Sequence, residues 1–367
     1  MQRLLCLLSS MNAGGAETFL MKIYRILDRN EYQMDFCINV EEKCFYEDEI
    51  LSYGGRIFRI PSKTKDVREF RKQLSQLVKK EKYQYVLRVT SNTMGFMDLM
   101  IAKKAGAKVC CARSSNSSDG AKWKAKVAHA LGRLFYNRYV DVAIAPSDLA
   151  AMYTFGKRAY RAGKVSILHN AVDLAVFRYD FDARNRIRRE FGISSHATVV
   201  GHIGRFMEQK NHLFLADIFA SIQKETQDVA LLLVGDGVLQ EQFRKKAGEL
   251  GILDRVIFAG VRSDIPSLLS AMDVFVFPSL YEGMPNTVIE AQATGLPCVI
   301  SDTITQEAKI TDLVEYRSLL ESAEVWGQEA LRQSRRARPD VHQEFIKAGY
   351  DIHSAAQNFV SIVFGHR

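Results

Sequence analysis

Short apolar runs alternate with amphipathic, helix-like segments along almost the whole 367-residue chain. The runs that we predict as strands in the first half lie near residues 3–8, 35–40, 56–60, 85–90, 109–112 and 140–145. The second half repeats the pattern, with predicted strands near 199–203, 230–234, 256–258, 274–277 and 298–300. Continuous apolar strands separated by helices are typical of parallel sheets covered by helices on both faces. The predicted fold class is therefore α/β.

The length of the chain fits two domains rather than one. A charged, irregular stretch at 171–189 follows the apolar run at 165–168, after which we place the joint between the domains. We therefore predict Rossmann-like domains at 1–170 and 171–345, followed by a helical segment at 346–367 that continues one helix from about residue 341.

The sequence offers little evidence for a metal site. Asp180 and Asp182 form an Asp-x-Asp pair within the charged stretch, and we interpret this pair as part of a solvated loop. The histidines show no metal-ligand spacing, so no metal ion is expected.

Several features bear on where the protein works. No apolar run reaches the length of a membrane-spanning helix, and the run at 4–8 is too short for a signal peptide, so we expect a buried first strand there. Six cysteines lie in apolar surroundings without a disulfide pattern. This usage is typical of a reducing compartment and predicts a cytoplasmic protein.

The positive charge is concentrated in one part of the chain. Residues 61–140 carry 18 Lys and Arg against five Asp and Glu, a net charge of +13, whereas the whole chain carries +8. Within this segment, 121–139 has the pattern of a basic amphipathic helix. We expect it to dock peripherally on the anionic inner face of the cell membrane; the alternative is an ordinary half-buried helix with a solvated charged face. No nucleic-acid-binding module is visible, so nucleic acid is not an expected partner.

Ligands of parallel sheets bind beyond the carboxyl ends of the strands, so the loops there are the candidate sites. The most specific is PSLYEGMPNTVIEAQATGLPCVIS, residues 278–301. Pro285 suits the first position of a helix that we predict to run to about Ala293, and the amides near Asn286, Thr287 and Val288 would bind a phosphate. Gly283 allows a close ligand approach. Glu290, about two turns into the helix, would reach a sugar hydroxyl.

Three further loops are candidates. In GHIGRFMEQKNH, residues 201–212, Arg205 and Lys210 follow a strand and together suit a diphosphate. In SSMNAGGAETF, residues 9–19, a Gly-Gly turn precedes a helix that opens near Glu17, but no GxGxxG pattern supports a nicotinamide enzyme. In LVGDGVLQ and GVRSD, residues 233–240 and 260–264, the glycines form either simple turns or a base and ribose pocket. The sequence contains no GxSxG motif, so a hydrolase with a nucleophilic serine is not indicated.

These motifs together resemble a known family. EGMPNTVIEA is similar to the Glu-x7-Glu signature of retaining glycosyltransferases of family 4, and GGAE, ILHNAVDLAVF, GRFMEQKNH, LLLVGDGVL and VIFAGVRSD recur in the family's order. The resemblance is greatest to the EpsF-like group of bacterial capsule and exopolysaccharide glycosyltransferases and covers nearly the whole chain. It implies a GT-B fold, an N-terminal acceptor domain, a C-terminal nucleotide-sugar domain and a last helix that returns to the first domain.

The resemblance also implies the roles of individual residues. The catalytic group would comprise Glu282, which contacts the transferred sugar, and Arg205 and Lys210, which hold the donor diphosphate. Glu290 would hold the ribose, and Gly15 would close over the phosphate cradled by the backbone of 283–288. The full predicted donor set is Gly15, Gly204, Gly235, Arg262, Gly283, Met284, Asn286, Thr287, Val288 and Glu290.

The implied acceptor side departs from the family in one respect. VLRVTSNTMGF and ARSSNSSD have no His where many members carry one near the sugar. Retention needs no protein base there, because the leaving phosphate can accept the proton. The predicted acceptor residues are Thr90, Ser91, Asn92, Arg113, Ser114 and Asn116.

The implied activity is metal-independent, retaining transfer of a hexose-type sugar from a nucleotide sugar, which we expect to be a UDP-sugar. The acceptor would be lipid-pyrophosphate-linked or a growing glycan in capsule, exopolysaccharide or O-antigen synthesis, and no cofactor is expected. The missing His leaves a second hypothesis open, a non-catalytic nucleotide-sugar-binding subunit of a partner transferase. An epimerase on the same fold is disfavoured by the Glu-x7-Glu signature.

Overall fold

The computed structural model describes residues 1–12, 14–115, 129, 132, 133 and 136–365. The chain divides into two compact units. The first comprises Met1–Ala171 together with Gly349–Arg367, and the second comprises Val172–Ala348. The boundaries thus fall after residues 171 and 348, against the predicted 170 and 345.

The first unit is built on a parallel sheet of seven strands in the order β3-β2-β1-β4-β5-β6-β7. The strands are β1 Gln2–Leu7, β2 Tyr32–Ile38, β3 Ile57–Arg59, β4 Tyr85–Thr90, β5 Val109–Ser114, β6 Val142–Ala145 and β7 Val165–Ile167. The helices described in this unit are Gly15–Ile26, Glu47–Ser52, Val67–Glu81, Phe96–Lys104, Tyr136–Tyr139, Asp148–Phe155, Lys157–Arg161 and Ile352–Phe364. Two buried apolar clusters cover the two faces of the sheet, as the continuous apolar strands predict.

The C-terminal segment belongs to the core of this unit. The Phe364 ring lies 4.8 Å from that of Tyr32 and 4.9 Å from that of Tyr85, measured between centroids. The prediction of one continuous helix from residue 341 is wrong. The chain forms two helices, His342–Lys347 and Ile352–Phe364, because Gly349 adopts a positive φ of 76° between them and the Asp351 side chain caps the second.

The second unit contains a parallel sheet of six strands in the order β10-β9-β8-β11-β12-β13. The strands are β8 Thr198–Ile203, β9 Val229–Val234, β10 Val256–Gly260, β11 Val274–Phe277, β12 Cys298–Ser301 and β13 Val314–Arg317. Its helices are Phe181–Glu190, His212–Glu225, Gln240–Glu249, Ile265–Ala271, Asn286–Ala293, Ala323–Ser334 and His342–Lys347. The edge strand β13 was not predicted, because VEYR is only partly buried and alternates charged with apolar residues.

The second half of the stretch 171–189, which was predicted to be irregular, forms a helix. The carboxylate of Asp180 accepts hydrogen bonds from the backbone N–H groups of Asp182 and Ala183 at 2.9 and 3.0 Å, which caps the helix Phe181–Glu190. Arg184 and Arg188 on this helix then form ion pairs with Asp273 at 2.8 and 2.7 Å. The charges that suggested a solvated segment therefore attach the helix to the second unit.

Both sheets have a point where the strand order reverses. In the first unit it lies between β1 and β4, and in the second it lies between β8 and β11. The loops that leave the carboxyl ends of such neighbouring strands diverge to opposite faces of the sheet and leave a crevice between them. These two crevices are the places where ligand sites are expected.

No helix among the described residues has both the length and the apolar character that a membrane crossing requires. No group of three or more His, Cys, Asp or Glu side chains in the same residues is arranged to hold a metal ion. All six cysteines are buried free thiols, and burial raises the pKa of Cys37 and Cys110 to about 12.

Candidate donor-sugar site in the second unit

The loops that follow β8 and β11 are joined at the strand-order reversal of the second sheet. The backbone N–H of Leu280 donates to the carbonyl of Gln209 at 2.8 Å. The Gln209 side-chain amide donates in turn to the carbonyl of Tyr281 at 2.9 Å. Gln209 lies in the candidate loop 201–212 but was not predicted as a site residue. Its contacts fix the position of one loop against the other.

Lys210 and Glu282 meet across this junction. The Lys210 Nζ donates to Glu282 Oε1 at 2.7 Å, and the two side chains are only 17% and 10% exposed. The ammonium also lies 4.5 Å from the centroid of the Phe277 ring, at the end of β11. The structure therefore brings together two of the three predicted catalytic residues and holds the lysine on both sides.

The third, Arg205, lies in the same loop as Lys210. Its side chain is exposed, and none of the described residues forms an ion pair with it. The guanidinium is therefore available to an anionic ligand, with the planar geometry that suits two phosphate oxygens.

The helix Asn286–Ala293 begins directly after the Glu282 loop. Pro285 is its N-cap rather than its first residue, because its ψ of 94° is extended, and it supplies no side-chain cap. The positive end of the helix dipole thus follows the loop, as the phosphate prediction requires. Glu290 is the fifth residue of the helix, just past one turn rather than two. Val288 is buried, while Gly283, Met284, Asn286, Thr287 and Glu290 are partly exposed.

The Gly-Asp-Gly loop after β9 packs directly on the Arg205 loop. Gly235 has a φ of +131°, and a Cβ atom built on it would lie 2.3 Å from the carbonyl oxygen of Gly204. The Phe206 N–H donates to the Asp236 carbonyl at 3.0 Å. This loop therefore supports the candidate phosphate loop, and glycine at 235 is required by both the backbone conformation and the close approach.

Arg262, predicted in the nucleotide set, has carboxylate partners of its own. Its guanidinium pairs with Glu190 at 2.5 Å and with Asp264 at 2.7 Å. Both hydrogen bonds raise its pKa. Because two carboxylates already neutralise this cation, the structure gives it a role in holding the helix Phe181–Glu190 to the loop after β10.

Two buried histidines lie behind the candidate loops. The rings of His202 and His212 are 4.6 Å apart, and His212 stacks on Phe206 at 4.2 Å. His202 Nδ1 is 2.8 Å from the Val276 carbonyl on β11. Burial lowers the pKa of His202 well below its ordinary value and lowers that of His212 to about 4. Neither histidine was predicted as a site residue, because their spacing matches no metal-binding motif. The position of His202 within an apolar strand was the sequence signal that its ring is buried.

The predicted acceptor residues divide in the first unit. Thr90 ends β4, and Ser91 and Asn92 follow it at the carboxyl end of the strand, beside a cleft. Gly15 opens the helix Gly15–Ile26 of the same unit. Asn116 and most of 121–139, the predicted membrane helix, lie outside the described residues.

The prediction that Arg113 and Ser114 face an acceptor needs correction. Arg113 is 1% exposed, donates to Asn170 at 2.6 Å and lies 3.8 Å from the Phe19 ring centroid. Desolvation lowers its pKa to about 9. Ser114 is fully buried and shares a hydrogen bond with Thr154 at 2.7 Å. β5 is buried along its whole length, so these side chains pack inside the unit.

Similarity to known proteins identifies the family of this chain. The family model for glycosyl transferases group 1 matches residues 197–322. EpsF of Bacillus subtilis (strain 168), a candidate glycosyltransferase by its name, is 35% identical over 360 residues, which cover 95% of this chain and 93% of EpsF. The chain is also similar to the UDP-Gal:alpha-D-GlcNAc-diphosphoundecaprenol alpha-1,3-galactosyltransferase of Escherichia coli. The two are 36% identical over 142 residues, which cover 38% of this chain and 37% of that relative.

The fold has a solved counterpart over its full length. The crystal structure of Anabaena Alr3699/HepE in complex with UDP aligns with a TM-score of 0.80 at 18% identity, covering 100% of both chains. Two parallel-sheet units of this kind, together with the group 1 match and the full-length similarity to EpsF, settle the family. The chain is therefore a group 1 glycosyltransferase with the GT-B fold, in the EpsF-like group.

Proposed function

We propose that this enzyme transfers a sugar from a UDP-sugar, with retention of anomeric configuration, to a lipid-linked or growing glycan in capsule, exopolysaccharide or O-antigen synthesis. The observation that carries the proposal is the contact between Lys210 and Glu282 at the strand-order reversal of the second sheet. Two comparisons support the donor and acceptor classes. The HepE structure contains UDP, and the E. coli relative is named for a UDP-galactose donor and a diphosphoundecaprenol-linked acceptor.

Charge stabilisation is the main catalytic contribution in this proposal. As the bond between the anomeric carbon and the phosphate oxygen breaks, negative charge develops on the departing diphosphate. Arg205, Lys210 and the first amides of the helix Asn286–Ala293 stabilise that charge. The acceptor hydroxyl bonds to the anomeric carbon on the face that the diphosphate leaves, and its proton passes to a phosphate oxygen. No protein base is needed for this course.

Glu282 has two roles in the same proposal. An ammonium group has three N–H donors, and Lys210 gives one of them to Glu282. The others are left for phosphate oxygens, while Glu282 fixes the lysine in place. The second carboxylate oxygen of Glu282 then accepts a hydrogen bond from a hydroxyl of the transferred sugar. Glu290, one turn into the helix, binds the ribose.

Metal independence belongs to the proposal as well. Two cations and a helix N-terminus supply the positive charge that a divalent ion supplies in other phosphate sites. Transfer by the full chain should therefore persist in excess EDTA. Loss of turnover in EDTA that is restored by Mg²⁺ or Mn²⁺ would contradict this part.

The experiment that tests the function uses the isolated full chain and a panel of UDP- and GDP-sugars. Thermal stabilisation identifies the donor, because a ligand that binds the folded state raises the melting temperature. Transfer from that donor to an undecaprenyl-diphosphate-linked sugar, with the product's anomeric configuration read by NMR, is the expected result. Binding without transfer to any saccharide tested would favour the non-catalytic subunit, and inversion would contradict retention.

Peripheral membrane contact on the cytoplasmic side remains part of the proposal. It rests on the net charge of +13 in residues 61–140. The full chain should sediment with vesicles that contain phosphatidylglycerol at low salt and release in high salt. Equal behaviour with neutral phosphatidylcholine vesicles would contradict it.

A further inference from the structure

The loop after β11, residues 278–285, has a second neighbour besides the loop after β8. This neighbour is the β12–β13 connection, residues 302–313. In the sheet, β11 lies between β8 and β12, so the two neighbouring loops leave strands on opposite sides of β11. Gln209 joins the loop after β8 to the loop after β11. The β12–β13 connection joins it from the other side, through side chains that the sequence analysis did not select.

Two contacts attach the β12–β13 connection to the loop after β11. Thr303 Oγ1 donates to the carbonyl of Ser279 at 3.1 Å. The backbones of Glu282 and Ile304 form an isolated parallel β-bridge. Ser279 and Ile304 are both buried, so water does not compete for these contacts. The connection therefore fixes the backbone of Glu282, while Lys210 holds its carboxylate.

Gln292 attaches the same connection to the helix Asn286–Ala293. Its side chain is fully buried. Nε2 donates to the carbonyls of Val288 and Ala308 at 3.2 and 2.8 Å. Oε1 accepts from the backbone N–H groups of Ile310 and Thr311 at 3.0 and 3.1 Å. These bonds use both N–H donors and both lone pairs of the carboxamide.

The chemistry at position 292 requires a carboxamide. A glutamate there would place a carboxylate oxygen against two carbonyl oxygens, and a methionine would leave buried backbone groups of the β12–β13 connection without a partner. Val288 is the third residue of the helix, so the bond from Gln292 reaches its first turn. The position of that turn therefore depends on the connection.

We propose that Thr303 and Gln292 are positioning residues for sugar transfer, which act through the β12–β13 connection. The connection holds Glu282, at the transferred sugar, at a fixed separation from the first amides of the helix Asn286–Ala293, at the diphosphate. Thr303 acts on the sugar end and Gln292 on the diphosphate end, and neither touches the donor. This inference rests on the proposed function, since it concerns how the same donor site is held.

Thr303→Val tests the sugar end. It removes a hydroxyl that bonds to Ser279 and lies 2.7 Å from the Ser301 hydroxyl, and it keeps the shape of the side chain. Loss of one ordinary hydrogen bond should weaken UDP-sugar binding about 3- to 10-fold and leave the Kd for UDP unchanged. Calorimetric titration with UDP, UDP-glucose, UDP-galactose and UDP-N-acetylglucosamine measures both.

Two variants serve as controls for Thr303→Val. Thr303→Ser keeps the hydroxyl and should keep both wild-type affinities. Thr305→Val changes the same kind of side chain in the same connection, but the Thr305 hydroxyl accepts from the N–H of Glu307, within the connection, at 3.3 Å. It should leave the affinities for UDP and for the UDP-sugars unchanged.

Gln292→Met tests the diphosphate end. Because several bonds to the helix and the connection are lost, the Kd values for UDP and for the UDP-sugar should rise together, by about tenfold or more. Gln333→Met is the matched control, since Gln333 is also a buried glutamine on a helix of this unit and donates to Glu329 at 2.8 Å. It should lower the melting temperature without changing the Kd for UDP.

A milder variant covers the case in which Gln292→Met does not fold. The Thr311 hydroxyl donates to Gln292 Oε1 at 3.2 Å, and Thr311→Val removes this bond alone from the carboxamide. The Kd for UDP should then rise about 3- to 10-fold.

The outcomes separate this proposal from the proposed function. Unchanged UDP-sugar affinity in T303V, or an equal fall for UDP and UDP-sugar, would overturn the role of Thr303. Unchanged UDP affinity in T311V and in folded Q292M would overturn the role of Gln292, as would an equal loss in Q333M. Failure of the wild-type chain to bind UDP, or to bind any of the three UDP-sugars, would instead count against the proposed function.

Discussion

Lys210 and Glu282 are 72 residues apart in the chain and form a 2.7 Å hydrogen bond at the junction of two loops. The contact exists because β8 and β11 are neighbours in the sheet although two strands separate them in sequence. It places an ammonium and a carboxylate side by side at the start of the helix Asn286–Ala293.

Lys210→Ala should lower kcat for sugar transfer about 100- to 1000-fold, because the developing charge on the diphosphate loses a cation. Steady-state kinetics with the donor identified by thermal stabilisation measure this. Lys246→Ala is a suitable control, since Lys246 also pairs with a carboxylate, Asp217, in the same unit. Equal losses in the two variants would show that the effect is not specific to the site.

Glu282→Gln should weaken binding of the sugar part of the donor without weakening binding of the nucleotide part. If Glu282 holds a sugar hydroxyl, the affinity for the UDP-sugar falls about tenfold or more while that for UDP changes little. In Lys210→Ala both affinities should fall, because both ligands carry the diphosphate. Calorimetric titration with each ligand gives the comparison. A parallel fall in both affinities for E282Q would refute the assignment of Glu282 to the sugar.

Gly235→Ala should destabilise the second unit and weaken UDP binding. A non-glycine residue is strained at a φ of +131°, and the new methyl would collide with the Gly204 carbonyl and move the Arg205 loop. We expect a loss of about 2 kcal/mol or more in the free energy of unfolding, measured with denaturant. Gly251 has a φ of +67°, and a Cβ atom built on it would have no neighbouring atom within 4 Å. Gly251→Ala should therefore lower the free energy of unfolding through backbone strain but leave the affinity for UDP unchanged.

The buried histidines predict a loss of stability in mild acid. His212 has a pKa of about 4 in the folded chain against 6.5 ordinarily, and that of His202 is also lowered. Between these pH values the unfolded chain binds protons that the folded chain does not, so the free energy of unfolding falls as pH decreases from about 6.5 toward 4. Each group contributes at most about 1.4 kcal/mol per pH unit.

Denaturant unfolding at pH 7 and pH 5 tests this directly. His212→Leu removes one of the two groups and should flatten the dependence on pH. His196→Leu, at an exposed position of the same unit, should leave the wild-type slope unchanged. A wild-type slope in H212L would exclude His212 as a source of the acid sensitivity.

Most of the fold could be predicted because apolar runs such as those of β9 and β11 are buried on both faces and stand out from charged helices. The failures have physical reasons. The clustered charges of 171–189 suggested an irregular stretch, but Arg184 and Arg188 both pair with Asp273, which is far from them in sequence. β13 is an edge strand with few buried residues. Gly349 divides the C-terminal helical pattern through a backbone conformation that an apolar period does not reveal.

The candidate site could be predicted to the extent that its residues follow strand ends. Arg205, Lys210 and Glu282 were predicted from their loops, and their catalytic roles stay predictions. The contact between Lys210 and Glu282 depends on strand order, which the pattern of one chain does not specify. Arg113 was placed on the acceptor side because ARSSNSSD resembles the polar loop of the family, whereas the buried strand β5 extends through Ser114. In the fold, a ring of Phe19 and the amide of Asn170 accommodate its guanidinium instead.

A crystal structure of the full chain with UDP shows whether Lys210 and Arg205 hold the diphosphate. We expect the diphosphate within hydrogen-bond distance of Lys210 Nζ and the Arg205 guanidinium, at the first amides of the helix Asn286–Ala293. UDP bound away from these groups, or absent at a saturating concentration, would contradict this expectation.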